Sequence, residues 1–315
     1  MAETQTRLVD FHSHYYDPSW MPAQPPSGFS AAFAQAQAML TDIDAQLVAM
    51  DAADMDMKVL SAPLSTLVGP GEEPPVALSA RINDRFAALV AEHPTRLLAL
   101  AAIDPFGGDT AAREVERAIT TLGLGGICLD CARGERFLDA PECRPVLAAA
   151  ASLGVPVFVH PVSPAGYTAH LAQHGHGGIL MARGTEAAAS VLSLVRSGAF
   201  DALPPLTVVI PMMSASILLF AGMLDRESMR DGSPHPPPSA AIKRLYVDTM
   251  GFDADTIRFV VTTLGAAHVL VGSDWPIMPI PTDTEVNRAL DGAGLTIAER
   301  DAVRGGNALR LLHRG

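Results

Sequence analysis

Short apolar runs alternate with longer amphipathic segments along almost the whole chain. Eight runs have the length of buried strands, and the segments between them show the three- and four-residue spacing of helices. Eight strands alternating with helices over 315 residues predict a (β/α)8 TIM barrel, a single domain covering residues 1–315. The predicted strands lie at residues 8–14, 57–63, 97–103, 126–130, 156–161, 206–211, 245–249 and 268–274.

The same alternation of strands and helices could also form an open, doubly wound sheet. Such a sheet usually carries a glycine-rich turn after its first strand, where phosphates bind, but here that position is His12-Ser13-His14. The sequence therefore favours the barrel. Three loops are predicted: a long one after the first strand at 15–30, which could cover a site, a His- and Gly-rich one at 167–178, and a Pro-rich one before the seventh strand at 231–239.

The first apolar run ends in the pair His12 and His14. In an extended strand alternate side chains point the same way, so the two imidazoles converge. Neutral imidazole suits zinc, manganese or iron, and the pair could bind one divalent ion. By itself the pair is weak evidence, because histidines spaced this way are more often solvated strand or turn residues.

Two further apolar runs also end in a candidate ligand, the fifth in His160 and the eighth in Asp274. The C-terminal ends of barrel strands meet on one face, so these two residues can share an ion with the histidine pair. Each also has a structural interpretation, His160 as a hydrogen-bonded core residue and Asp274 as part of a turn. Without a metal, every one of these structural interpretations would have to be correct at once. The sequence therefore favours a metal site.

The same residues resemble a known family. Similarity to the amidohydrolase superfamily, and within it to aminocarboxymuconate-semialdehyde decarboxylase and its relatives, covers nearly the whole chain. It is carried by the His-x-His start, by Phe-Val-His-Pro at 158–161, by Gly-Ser-Asp-Trp-Pro at 272–276 and by Gly-Asn-Ala-Leu-Arg-Leu at 306–311.

The resemblance implies a metal-dependent, non-oxidative decarboxylase (carboxy-lyase) of a small aromatic or unsaturated acid. It implies one divalent ion, zinc in the first place and manganese as the alternative, with His12, His14, His160 and Asp274 as ligands. A metal-dependent hydrolase of an amide, ester or lactone is the alternative activity. A barrel that has lost catalysis and only binds a partner is the third interpretation.

One position departs from the family at the end of the sixth strand. The family has a His-Gly-Gly-Gly-like turn there, and Met212 stands where its histidine would be. Methionine cannot move a proton, so Asp274 becomes the candidate catalytic acid or base. Met212 would also make the adjoining pocket wall apolar.

A second departure concerns the substrate carboxylate. The family enzyme has arginines just ahead of a Met-Asp pair, where this chain has Gln46 and Val48. One of three other arginines, Arg133, Arg136 or Arg183, would have to bind the carboxylate instead.

Other substrate contacts are predicted from their places near strand ends. Aromatic rings there could stack on a planar substrate or only pack the barrel mouth, and the histidines of the 167–178 loop could reach the substrate or be surface residues. The aromatic candidates are Tyr15, Tyr16, Trp20 and Trp275, and the histidines are His170, His174 and His176. The residues predicted to contact the substrate are Tyr15, Trp20, Arg133, His174, Met212 and Trp275.

Charge and composition limit the partners. With a formal charge of −12 and no cluster of Lys or Arg, the chain is not expected to bind nucleic acid or an anionic membrane. It shows no signal-like start and no apolar run of membrane-spanning length. Three cysteines, Cys128, Cys131 and Cys143, suit reduced thiols. We expect a cytoplasmic protein with a small acid as substrate, and a homodimer is left open.

Overall fold

The computed structural model describes residues 6–21, 31–69 and 71–313, with the side chains of 31–35 outside that description. Eight parallel strands form one sheet in chain order, and a two-stranded antiparallel hairpin follows the fourth of them. The barrel strands are β1 (Val9–His14), β2 (Met57–Ser61), β3 (Leu97–Ala102), β4 (Gly126–Asp130), β7 (Pro156–His160), β8 (Thr207–Ile210), β9 (Tyr246–Asp248) and β10 (Val269–Leu270), and the hairpin is β5 (Ala132–Arg133) and β6 (Arg136–Phe137).

Hydrogen bonds between β1 and the segment after β10 close the sheet into a barrel. The amide of Phe11 donates to the carbonyl of Val271 at 2.8 Å, and the amide of Asp274 donates to the carbonyl of His12 at 2.8 Å. Ser13 also forms a parallel bridge with Trp275. The predicted (β/α)8 barrel is therefore confirmed.

Helices surround the barrel. Their bounds are α1 (Ala31–Leu40), α2 (Ile43–Ala52), α3 (Ser65–Val68), α4 (Val76–Glu92), α5 (Gly108–Thr120), α6 (Arg144–Leu153), α7 (Ala165–Leu171), α8 (Gly175–Arg196), α9 (Ala199–Ala202), α10 (Ser216–Asp231), α11 (Pro238–Ile242), α12 (Ala254–Leu264), α13 (Asp283–Gly292), α14 (Ile297–Asp301) and α15 (Asn307–Leu311). A larger apolar layer lies between these helices and the strands.

The barrel interior is a separate apolar cluster. It includes Val9, Phe11, Val59, Phe158 and Leu270, which come from different strands and fill the barrel in layers. Along β1 the pairing register with β2 shifts between Asp10 and Ser13. This irregularity lets Phe11 lie in the interior cluster while His12, the next residue, packs against Phe158 with ring centroids 4.7 Å apart.

Several predicted element bounds are wrong. Residues 167–178, expected as a loop, are helical, since α7 and α8 are joined by a 3-10 turn at Ala172–His174. Gly178 helps explain this, because a Cβ there would lie 2.0 Å from the carbonyl oxygen of Leu171 and only glycine permits the approach. The predicted last strand is regular only over Val269–Leu270, and Asp274 has a positive φ of 64°.

The two other predicted loops are partly described. Residues 15–21 are irregular, as expected, and 22–30 lie outside the described residues, so a covering role for this loop stays a prediction. The Pro-rich segment is shorter than 231–239, because α10 extends to Asp231 and α11 begins at Pro238.

One helical stretch, Ala165–Arg196, is long and apolar enough to cross a membrane by length and composition alone. No stretch of this length was expected from the sequence, but a buried core helix meets the same test of length and composition. Half of its most apolar window is buried inside the protein, as expected for a helix packed on a barrel.

Candidate active site

Four side chains predicted from three strands meet at one end of the barrel. One potential ligand atom from each of His12, His14, His160 and Asp274 lies within 4.8 Å of all the others, and all four residues are buried. The carboxylate oxygen Oδ1 of Asp274 lies 3.0 Å from Nε2 of His14 and 3.4 Å from Nε2 of His12. Both histidine contacts thus fall on the same oxygen of Asp274.

The donor set fits a divalent metal ion. Nε2 of His12 is buried and has no hydrogen-bond partner among the described residues, which is costly unless another group binds it. Three imidazoles and one carboxylate supply the nitrogen and oxygen ligands that zinc and manganese take. This buried, partly unpartnered arrangement is better explained as a metal site than as a hydrogen-bonded core.

Asp248, at the end of β9, fixes the orientation of His12. Its Oδ2 accepts a hydrogen bond from Nδ1 of His12 at 2.6 Å. Its Oδ1 accepts from the amides of Met212 at 2.7 Å and Met250 at 3.0 Å. A carboxylate holding the far nitrogen of a metal-binding histidine is a common supporting arrangement. Asp248 was not predicted from the sequence, although the apolar run at 245–249 also contains a carboxylate, as the eighth run does.

Gly272 makes the pairing of His12 with Asp248 possible. A Cβ at this position would lie 2.7 Å from Cβ of Asp248 and 2.8 Å from Cβ of His12. A side chain would therefore push the two residues apart. The close approach gives a physical reason for glycine at the start of the Gly-Ser-Asp-Trp-Pro sequence.

Asp10 ties together the two backbone segments that carry His12 and Asp274. Its Oδ1 accepts from the amides of His12 at 3.2 Å and Ser273 at 3.0 Å, and its Oδ2 accepts from the Ser273 hydroxyl at 2.6 Å. Burial raises the pKa of Asp10 to about 6, although these donors lower it. Asp10 is not one of the four clustered residues.

Burial and neighbouring charges shift the pKa values of the clustered residues in opposite directions. Burial lowers the pKa of His12, but its hydrogen bond to Asp248 and the charges of Asp248 and Asp274 outweigh burial and raise it to about 10. Burial opposes ionisation of Asp274 too, yet His12 and His14 hold the pKa of this carboxyl well below its usual range. Burial lowers the pKa of His14 and of His160, which keeps these imidazoles neutral and available as ligands.

Three aromatic residues predicted to contact the substrate pack against residues outside the four-residue cluster. Tyr15 packs against Trp20 with ring centroids 6.3 Å apart, and Trp20 packs against Phe86 of α4 at 6.0 Å. The Trp275 ring lies under Nζ of the buried Lys58, 4.6 Å from its centroid. Strand alternation instead brings Tyr16 to His14, where the rings stack with centroids 6.4 Å apart.

The remaining predicted substrate contacts are Arg133, His174 and Met212. Arg133 forms an ion pair with Asp104 and lies over the Phe106 ring, so its charge is already used. His174 is exposed at the end of the 3-10 turn that precedes α8. The prediction that these two residues bind substrate is not supported. Met212 lies next to the residue that holds His12, since its amide donates to Asp248.

Comparison with known proteins places this site in a family. The amidohydrolase sequence model matches residues 9–314. Gamma-resorcylate decarboxylase of Rhizobium radiobacter is 29% identical over 96% of this chain and 97% of the relative. The 2-amino-3-carboxymuconate-6-semialdehyde decarboxylase of Dictyostelium discoideum is 24% identical over 96% of this chain and 91% of the relative.

A solved structure with the same fold is the dihydroxybenzoic acid decarboxylase of Polaromonas, described with bound manganese and the inhibitor 2-nitroresorcinol. It superposes with a TM-score of 0.77 at 23% identity, covering 98% of this chain and 97% of that one. The resemblance found in the sequence is confirmed. The chain belongs to the amidohydrolase family, and its named relatives are decarboxylases.

Proposed function

We propose that this chain, as one domain over residues 1–315, is a metal-dependent, non-oxidative decarboxylase of a hydroxylated aromatic acid. The observation that carries the proposal is the buried cluster of four ligand atoms within 4.8 Å, in a chain that aligns almost end to end with a gamma-resorcylate decarboxylase. A small-molecule acid is the proposed partner, and a cytoplasmic location stays a prediction.

His12, His14, His160 and Asp274 would hold one divalent ion in this proposal. Manganese is supported by the bound ion in the Polaromonas relative, and zinc suits the same donors. When bound, the ion would polarise substrate oxygens next to the carboxyl group and stabilise their negative charge.

Side chains of the protein move the proton and make part of the site apolar. Both histidine contacts of Asp274 fall on Oδ1, which leaves Oδ2 to accept a proton from a substrate hydroxyl and then donate it. Transfer of that proton to the ring carbon bearing the carboxyl group lets the bond to carbon dioxide break, with its electron pair remaining on the ring. Phe158 packs against His12 and His160 and makes the floor of the site apolar.

A panel of acids tests the reaction type. The manganese-loaded protein is incubated with hydroxybenzoates and unsaturated acids, and with their amides, esters and lactones. We expect carbon dioxide release from hydroxybenzoates and no release of amine or alcohol. Hydrolysis without carbon dioxide release would assign the protein to the other reaction class.

Replacing Asp248 by asparagine tests its support of His12. Asparagine keeps the Oδ1 acceptor for the amides of Met212 and Met250, but it presents an amide group to Nδ1 of His12. The favoured tautomer of His12 would then carry its proton on Nε2 and lose that nitrogen as a ligand. We expect manganese affinity to fall roughly 10- to 100-fold, measured by equilibrium dialysis.

The matched control is Asp139→Asn, which changes an exposed aspartate in the same chemical way. This control should bind manganese as the unmodified protein does. Equal affinities of the Asp248→Asn variant and the unmodified protein would remove Asp248 from the proposed site.

Met212→His restores the family residue at the end of β8. If Met212 belongs to a site adapted to an apolar substrate face, the histidine should give no gain in kcat and should raise KM, because a polar ring replaces apolar contact. The amide hydrogen bond to Asp248 is unchanged in this variant. Steady-state kinetics on the best acid from the panel provide the measurement. A clearly higher kcat would instead show that Met212 is a defect in an otherwise standard site.

A further inference from the structure

We propose that Arg183 of α8 binds the carboxylate of the acid substrate. The inference rests on the proposed function and adds the residue that selects an acid. The chain lacks the arginines that the family has ahead of its Met-Asp pair, because Gln46 and Val48 stand there. Gln46 is buried, and its amide nitrogen donates to the carbonyls of His14 and Met39. Val48 is 69% exposed on α2. Neither side chain can bind a carboxylate at the cluster.

The other two candidate arginines are already neutralised. Arg133 pairs with Asp104. Arg136 pairs with Glu142 at 2.7 Å and lies over the Phe106 ring. An arginine that binds a protein carboxylate has its planar donors filled and offers little to a second anion.

Arg183 differs from both. Its only polar contact among the described residues is from Nη1 to the hydroxyl of Ser163, at a long 3.4 Å. No carboxylate of the described chain lies within 4.0 Å of its guanidinium. The residue is half-buried, so its charge is partly removed from water without a protein anion to compensate it.

The packing of α8 puts this charge near the cluster. Ser163 follows β7 three residues after His160. A Cβ on Gly184, the neighbour of Arg183, would lie 2.3 Å from the carbonyl oxygen of Met213. Glycine therefore lets α8 press against the turn that begins at Met212, at the same end of the barrel as His160.

The side chains at this end of the barrel suit an aromatic acid. The Tyr16 ring stacks on His14 with centroids 6.4 Å apart, and the apolar Met212 begins the turn against which α8 packs. An unpaired guanidinium at the same end of the barrel as these groups suits an aromatic acid, with the carboxylate on Arg183.

Paired probes test the assignment. Binding of 2,6-dihydroxybenzoate and of resorcinol, which lacks only the carboxylate, is measured by calorimetry on the manganese-loaded protein. Arg183→Gln should weaken binding of the acid roughly 10- to 100-fold, as expected for a lost charge-assisted hydrogen bond, and change resorcinol binding less than about two-fold. Arg183→Lys should restore part of the acid affinity. Arg144→Gln, an exposed arginine on α6, is the matched control and should bind both probes normally.

The assignment is overturned if the unmodified protein does not bind the acid, if Arg183→Gln binds the acid normally, or if acid and resorcinol binding fall equally. Carbon dioxide release, measured in parallel, separates the two proposals. Decarboxylation that is indifferent to Arg183→Gln contradicts the carboxylate assignment alone. Arg183-dependent acid binding without decarboxylation of any acid contradicts the proposed function alone.

Discussion

Replacing Asp274 by asparagine is expected to lower kcat by roughly 10²- to 10⁴-fold, the usual contribution of a general acid or base. Asparagine has nearly the same shape and keeps one oxygen for the contacts that Oδ1 makes with His12 and His14. It cannot carry a proton in place of Oδ2. Bound manganese should therefore be retained in part while turnover is largely lost, and both are measured on the same preparation.

Asp139→Asn is again the matched control and should keep full turnover. In the Asp274→Asn variant, partial metal with near-normal kcat would show that Asp274 does not move the proton. Another group, such as a histidine of residues 167–178, would then have to be the proton carrier.

The double variant His12→Ala, His160→Ala is expected to lose stoichiometric metal. It removes imidazoles from β1 and β7, on different strands of the barrel, and leaves only His14 and Asp274 of the four-residue cluster. Two ligands bind a divalent ion far more weakly than four in a fixed site. Metal analysis after gel filtration gives the result directly.

The matched control is a second double variant, His170→Ala, His174→Ala, which also removes two histidines. Both residues are exposed, and their replacement should leave the metal content unchanged. Full metal in the double variant of His12 and His160 would mean that the ion binds elsewhere and that the cluster has been misidentified.

The metal cluster was predictable because its signal is local to each strand. A polar ligand directly after an apolar run is visible without knowing the neighbours, and barrel geometry then brings His12, His160 and Asp274 together. The supporting residue Asp248 was not predicted, since its role depends on a pairing with His12 across 236 positions of sequence.

Two of the predicted substrate contacts, Tyr15 and Trp275, pack against residues outside the four-residue cluster for a common physical reason. Side chains alternate along an extended chain, so a shift of one residue exchanges the two faces. Tyr15 was chosen where Tyr16 stacks on His14, and the Trp275 ring packs beside Lys58. Residues 167–178 were predicted as a loop because glycine normally weakens helices, whereas Gly178 and Gly184 allow close packing of α8.

Titration of the metal-depleted protein with manganese, while carbon dioxide release from 2,6-dihydroxybenzoate is followed, tests the central claim most directly. If one ion held by the four-residue cluster supports decarboxylation, the rate should rise from near zero and stop increasing at one bound ion per chain. Carbon dioxide release at full rate from the metal-depleted protein, or a rate that does not follow the first bound ion, would contradict it.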